Sequence, residues 1–172
     1  MHKVFIGVGA NLGNPQETIA AAERILVKNG AIKAFNSSKL YLTTPVSDIP
    51  QPDYLNCAWA FETTLNPLQL LDLLQSIEKE LGKIDKPKNA PRLIDLDILL
   101  YDDIAYNQPE LCIPHPCWKE RAFVLIPLVE LAHEVKMADG TQLNIQELIA
   151  KLPQEALQGV ALYNNGHRHA YS

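Results

Sequence analysis

The stretch Pro91-Arg92-Leu93-Ile94-Asp95-Leu96-Asp97-Ile98-Leu99-Leu100-Tyr101 constrains this chain more than any other. Rich in β-branched and large apolar residues, free of glycine and opened by a proline, it reads as a strand. Side chains alternate between the two faces of a strand. Ile94, Leu96, Ile98 and Leu100 therefore share an apolar face, and Leu93, Asp95, Asp97 and Leu99 share the other. Arg92 stands at the strand's mouth. The two carboxylates sit side by side, with Cα atoms about 6–7 Å apart. Like charges this close raise each other's pKa, and burial does the same. A divalent cation removes the conflict. Mg²⁺ takes carboxylate oxygens together with water and phosphate, and a carboxylate pair can bridge two metals about 3.5–4 Å apart. The motif is short, and an edge strand with two solvated acids is the other reading it allows. Leu93 and Leu99 flank the acids, which speaks against a simply wetted face.

The rest of the chain supplies a domain to house that strand. Its 172 residues, 47% hydrophobic and 20% charged, suffice for one domain with a full core. A net charge of −5 without a basic run argues against a nucleic-acid partner. No apolar run approaches the ~18 residues of a membrane-spanning helix. Lys3 to Val8 is a short apolar strand rather than a signal peptide. Three cysteines, Cys57, Cys112 and Cys117, give no paired framework and suggest a reducing cytoplasm.

In order, the first strand runs into the loop Gly9-Ala10-Asn11-Leu12-Gly13. Asn14 then caps a helix with Pro15 at its first position, expected to reach Lys28 and stop at Gly30. The glycines at 7, 9 and 13 miss the dinucleotide fingerprint by one residue, and no Walker lysine follows. Ala31 to Thr44 reads as a strand interrupted at Asn36-Ser37-Ser38. The segment from Pro45 to Pro52 is a proline-rich loop. Asp53 to Thr64 is a strand with Leu55, Cys57, Trp59 and Phe61 facing the core. Asn66 and Pro67 open a helix whose stripe is Leu68, Leu71, Leu74, Ile77 and Leu81, ended by Gly82. Lys83 to Pro91 is a polar loop, expected to be mobile and to close over a bound triphosphate.

The order β-α-β-β-α-β is the ferredoxin-like signature. It predicts an α+β fold in which both helices pack on one face of an antiparallel sheet, with C-terminal additions. These are a short hairpin within Asp102–Ile113, a rigid turn at Pro114-His115-Pro116, a helix over Lys119–Ala132 bent or divided at Pro127, a turn at Asp139-Gly140, and a helix over Asn144–Leu152. Residues 1–152 form one expected domain, and 153–172 a frayed tail.

Other residues carry chemistry. His115, fixed between two prolines, joins Arg92 and Arg121 as a cationic trio for the two aspartates. Acids that hold metal, faced by cations that neutralise developing charge, suit phosphoryl transfer. A surface salt bridge for each arginine and a backbone-bonded turn for His115 are the plainer alternatives. Cys112, His115 and Cys117 lack the fourth ligand and wider spacing that zinc asks for. Tyr54 and Phe123 stand beside the polar Asn56 and Arg121, a pattern suited to stacking on a flat heteroaromatic.

Taken together, Gly9-Ala10-Asn11-Leu12-Gly13, Tyr41-x-Thr43-x-Pro45, Gln51-Pro52-Asp53-Tyr54-Leu55-Asn56, Ile77-Glu78, Pro91-Arg92-x-x-Asp95-Leu96-Asp97 and Pro114-His115-Pro116 with Arg121-x-Phe123 resemble 6-hydroxymethyl-7,8-dihydropterin pyrophosphokinase, over roughly residues 3–145. The resemblance implies transfer of pyrophosphate from MgATP to the pterin hydroxymethyl, with release of AMP, in folate synthesis. It implies two Mg²⁺ ions on Asp95 and Asp97, with Arg92 and His115 completing the catalytic set. It implies nucleotide contacts from Gln75, Glu78, Lys83, Arg92, Ile98, His115 and Arg121, and a pterin pocket of Thr43, Pro45, Val46, Tyr54, Asn56, Asp95 and Phe123. A monomer serving two small-molecule substrates is expected. The chain departs from the family pattern at Lys83, at Asn89-Ala90 and at Cys117, where members often carry Arg, Trp-Gly and Arg.

Overall fold

The expected strand–helix alternation is realised as a central sheet between two helical layers. The computed structural model describes residues 1–44, 52–82 and 93–163. Expectations for Pro45, Val46, Lys83, Arg92, the two loops that hold them and residues 164–172 lie outside that range. In chain order the elements are β1 (His2–Ala10), α1 (Pro15–Lys28), β2 (Ile32–Ser37), β3 (Tyr41–Thr43), β4 (Tyr54–Thr63), α2 (Pro67–Gly82) and β5 (Asp95–Tyr101). A hairpin of β6 (Tyr106–Gln108) and β7 (Leu111–Ile113) follows, then α3 (Ala122–Val129) and a second hairpin of β8 (Glu134–Lys136) and β9 (Gln142–Asn144). The described chain ends with α4 (Ile145–Ala150), α5 (Gln154–Gln158) and β10 (Val160–Leu162).

Local chemistry sets these boundaries. Asn14 Oδ1 accepts from the Glu17 amide at 3.2 Å, capping α1 with Pro15 in its first turn. At α2, Asn66 and Gln69 exchange side-chain-to-backbone hydrogen bonds of 2.8 and 2.9 Å, a reciprocal cap. Ser38 explains the break between β2 and β3. Its amide donates to the Ala58 carbonyl, and its Oγ accepts the Ala58 amide at 2.9 Å. The side chain thus replaces one ladder partner while the strand changes course.

The sheet order is β10-β3-β4-β1-β5, with β2 also paired to β4, and every pairing within it is antiparallel. α1 and α2 cover one face. Leu26, Leu70, Leu74 and Ile77 pack there on Ile6, Trp59, Phe61 and Ile98. α3 and α4 cover part of the other face, where Leu125, Leu128 and Ile145 meet Phe5, Leu99 and Leu100. Burying each of these large side chains stabilises by about 1.5–3 kcal/mol.

Several features differ from the expected picture. Leu68, expected on the buried stripe of α2, is exposed and Leu70 is buried instead, and Gly9 and Ala10, expected in a loop, end β1. The parity of β5 breaks: Phe5 pairs with Leu100 and Ile6 with Ile98, so a bulge at Leu99 turns Leu100 to the α3 side and Tyr101 to the α1/α2 side. The segment Trp118–Val129 divides at Arg121, between a 3₁₀ turn (Trp118–Glu120) and α3, rather than at Pro127. From Pro153 to Leu162 the chain forms α5 and β10, and β10 joins the main sheet instead of fraying. Its pairing with β3 gives that short strand a second neighbour, which hydropathy periodicity over so few residues does not reveal.

Candidate active site

A cavity of about 610 Å³ opens on the α3 side of the sheet. Its floor is bare backbone. Gly9 pairs with Asn56 on β4 and with Asp95 on β5, and Gly7 pairs with Asp97. A Cβ at Gly9 would come within 2.9 Å of Asn56 Nδ2, and one at Gly7 within 3.2 Å of Leu99 Cδ2. A side chain at Gly9 would thus displace Asn56, and one at Gly7 would press Leu99 by a few tenths of an ångström.

Asp95 and Asp97 project from the same face of β5 and line the cavity, while Leu96 between them and Ile98 after them are buried in the core behind. Strand alternation thus delivers both carboxylates to one side. Among the described residues, no group of three or more His, Cys, Asp or Glu gathers where it could hold a metal. The pair fits a hard cation that fills its remaining positions with water and phosphate oxygens, as Mg²⁺ does.

His115 is placed against β5 by its backbone, since its amide donates to the Leu99 carbonyl at 3.0 Å. Its Nδ1 lies 2.7 Å from the Pro116 carbonyl. A carbonyl only accepts, so Nδ1 carries the hydrogen and Nε2 is the other polar atom of the ring. Both the backbone-bonded and the site-lining readings of His115 hold at once. Arg121 lines the same cavity, with its guanidinium carbon 5.6 Å from the centroid of the Phe123 ring.

At the other side stand Thr43, Tyr54, Asn56 and Phe123. Asn56 Nδ2 donates to the Val8 carbonyl at 3.3 Å, which fixes the amide plane. Thr43 Oγ1 and Asn56 Oδ1 are buried without a hydrogen-bond partner among the described residues. Unpaired buried polar atoms are costly, and both of these belong to residues that line the cavity. Glu130, just past α3, accepts the Lys39 amide at 3.0 Å and the Tyr41 hydroxyl, so it ties the β3 wall to the α3 wall. Burial, followed by the hydrogen bond and charge of Glu130, pushes the Tyr41 phenol up from its ordinary value.

Of the sequence-expected residues, the cavity brings together Thr43, Tyr54, Asn56, Asp95, Asp97, His115, Arg121 and Phe123. Three others lie elsewhere. Ile98 is 3% exposed within the core cluster, because strand parity turns its side chain away from Asp97. Gln75 is exposed on α2, a helix of the opposite layer. Glu78 accepts the Leu96 amide at 2.7 Å, so it holds the entry of β5 in place between the two aspartates. Sequence reasoning missed Glu120, Glu155, Ala156, Gly159 and Val160 as lining residues. The last four belong to the segment assigned to a tail.

A split β-α-β sheet with a carboxylate pair on one edge strand, and a cavity lined by aromatics and unpaired polar atoms beside it, defines a small-molecule kinase. The model of the 7,8-dihydro-6-hydroxymethylpterin-pyrophosphokinase (HPPK) family matches residues 5–133, and this chain belongs to that family. It is by family a pyrophosphokinase of folate synthesis, a diphosphotransferase with ATP as a substrate. A 2-amino-4-hydroxy-6-hydroxymethyldihydropteridine pyrophosphokinase of Pseudomonas aeruginosa is 37% identical over 92% of this chain and 96% of its own length. A mitochondrial folate synthesis bifunctional protein of Arabidopsis thaliana is 42% identical over 76% of this chain but only 23% of its own. Among solved structures, Plasmodium falciparum HPPK-DHPS with pteroate superposes with a TM-score of 0.67 at 17% identity, covering 87% of this chain and 42% of that one. That likeness carries the fold.

Proposed function

We propose that the cavity transfers the β,γ-pyrophosphoryl group of MgATP to 6-hydroxymethyl-7,8-dihydropterin and releases AMP. The observation that carries this reading is the juxtaposition on adjacent strands. Gly9 pairs with Asp95 on one side and with Asn56 on the other, so the carboxylates and the ring-reading amide are two strand steps apart, about 10 Å. A bicyclic ring over β4 and β3 then presents its hydroxymethyl group to the phosphates held over β5.

Asn56 offers an acceptor and Thr43 a hydroxyl to the polar edge of the ring. Tyr54, from the sheet, and Phe123, from the helical layer, supply flat apolar surface to its faces. Asp95 and Asp97 would hold two Mg²⁺, which when bound supply charge neutralisation and alignment of the triphosphate. Arg121 binds phosphate oxygens from the α3 side, as does His115 in the imidazolium form that donates from Nε2, and the resemblance assigns Arg92 and Lys83 to the same phosphates. The family resemblance assigns Pro45 and Val46 to the pterin site. Glu78 acts through the β5 backbone, and Ile98, on the sheet's edge strand with its side chain in the core, serves the nucleotide through its backbone. The hydroxymethyl oxygen displaces AMP from the β-phosphorus; no nucleophilic side chain is needed. The domain works as a cytoplasmic monomer in this reading, and no helix among the described residues is long and apolar enough to cross a membrane.

Product analysis tests the proposal. With ATP, Mg²⁺ and the hydroxymethyl-dihydropterin, AMP should form in equal amount with pterin pyrophosphate. Formation of ADP would mean an ordinary kinase, and binding without turnover a sensor.

A further inference from the structure

Two kinds of contact hold α3 against the sheet. Its apolar packing lies over β1, β4 and β5, where Val124, Leu125 and Leu128 share one buried cluster with Phe5, Ala60, Leu99 and Leu100. β3 lies beyond that cluster. Within the sheet it is held on both sides, by ladders to β4 and to β10. Its link to α3 is polar and runs through Glu130, the residue that ends the helix. One carboxylate oxygen accepts the Lys39 amide at 3.0 Å, and the other accepts the Tyr41 hydroxyl. Burial, ahead of the acid itself, raises the Tyr41 phenol above its ordinary value, so water competes little for that bond.

This strap stands beside the residues that line the ring end of the cavity. Tyr41 pairs across the ladder with Asn56, and Thr43 with Tyr54. Tyr41 and Thr43 share a face of β3, about 6–7 Å apart. On α3, Phe123 and Glu130 are seven residues apart, which is two helical turns or about 10 Å, so they leave the helix on the same side. Glu130 and Tyr41 themselves stand behind the cavity lining, whereas Thr43, Asn56 and Phe123 form it. We propose that Glu130 is a positioning residue for the ring: through the Tyr41 hydroxyl and the Lys39 amide it fixes the height of β3 under α3, and with it the gap between Phe123 and the Thr43–Asn56 wall. This rests on the pterin reading of the cavity. The phosphate end, over β5, is held by the apolar cluster and does not depend on the strap.

Calorimetric titration of 6-hydroxymethylpterin into protein saturated with Mg²⁺ and a non-hydrolysable ATP analogue tests it, together with steady-state turnover. Glu130→Ala removes both acceptors and should weaken pterin binding about tenfold. Affinity for the ATP analogue should stay within about twofold of the parent. In turnover the loss should fall on KM for pterin with kcat preserved, because the bound ring reseats β3. Glu130→Gln keeps the reach and a carbonyl acceptor without the charge, and should restore pterin affinity to within about threefold of the parent. Glu130→Asp keeps the charge but is one methylene too short to serve both donors, and should resemble Glu130→Ala. Tyr41→Phe, which removes one arm and leaves α3 untouched, should weaken pterin binding about threefold, so the inference can be tested even if Glu130→Ala fails to fold. Parent-like pterin affinity in Tyr41→Phe or Glu130→Ala, an equal loss for the ATP analogue, or Glu130→Asp outperforming Glu130→Gln would overturn the inference while leaving the pterin site standing. Failure of the parent to bind pterin at all would overturn the reading of the cavity, and this inference with it.

Discussion

Gly9→Ala separates the cavity's architecture from its stability. The added Cβ would lie 2.9 Å from Asn56 Nδ2, inside van der Waals contact, so the amide must swing away. It then loses its 3.3 Å bond to the Val8 carbonyl, a cost of about 1 kcal/mol. Gly9 is not among the glycines with positive φ, so alanine fits the backbone and restricts the unfolded chain, a gain of about 0.4–1 kcal/mol. The two nearly cancel, and the melting temperature should move by less than about 4 °C. Binding should not cancel. A displaced Asn56 misses its hydrogen bonds to the ring, and losing one or two at about 1–1.5 kcal/mol each weakens pterin binding roughly 5- to 150-fold. MgATP affinity, which the proposed function assigns to β5 and the start of α3, should hold. Calorimetry with each ligand and a thermal melt on the same preparation decide the matter. Unchanged pterin affinity would refute the role of Asn56, and a large fall in melting temperature would show that Gly9 serves packing instead.

Other outcomes follow from the same geometry. Asp95→Ala or Asp97→Ala should abolish turnover, while thermal melts of metal-free Asp97→Ala show no loss of stability, because one of two like charges is removed; activity within about tenfold of the parent would contradict the metal pair. Phe123→Ala should weaken pterin binding by about 1 kcal/mol or more and leave nucleotide binding unchanged by calorimetry. Tyr41 is held protonated in the fold by burial and by Glu130, so the folded state binds its proton more tightly than the unfolded chain. That stability is present below the ordinary phenol value near pH 10 and is lost as pH rises above it. Chemical denaturation at pH 9 and pH 11 should show a steeper loss in the parent than in Tyr41→Phe.

Much of this was legible in the residues because the signals were long or chemically distinctive. Asn14-Pro15 and Asn66-Pro67 announce helices by filling known terminal positions, and both helices start there. The alternation in Tyr54–Phe61 gives the correct core face, with Leu55, Cys57, Trp59 and Phe61 in the α1/α2 cluster. Asp95 and Asp97 share a face by parity alone. What failed depended on information beyond local pattern. The bulge at Leu99 comes from pairing with β1, and it misplaced Leu100. Ile98 came from resemblance and its side chain went to the core, which its parity with Leu96 already implied. β10 has three residues and no periodicity of its own. It is a strand because β3 offers an open edge, so a wall of the cavity was invisible in the sequence.

In the proposed function Asp95 and Asp97 hold the metal–phosphate end of a cavity whose other end holds the ring. Manganese in place of magnesium tests it directly. A crystal of the ternary complex with Mn²⁺, a non-hydrolysable ATP analogue and 6-hydroxymethylpterin should show anomalous density within coordination distance, about 2.0–2.3 Å, of both carboxylates, with the ring lying between Tyr54 and Phe123. Manganese bound away from these two side chains, or a ring outside the Thr43–Asn56 wall, would contradict the account.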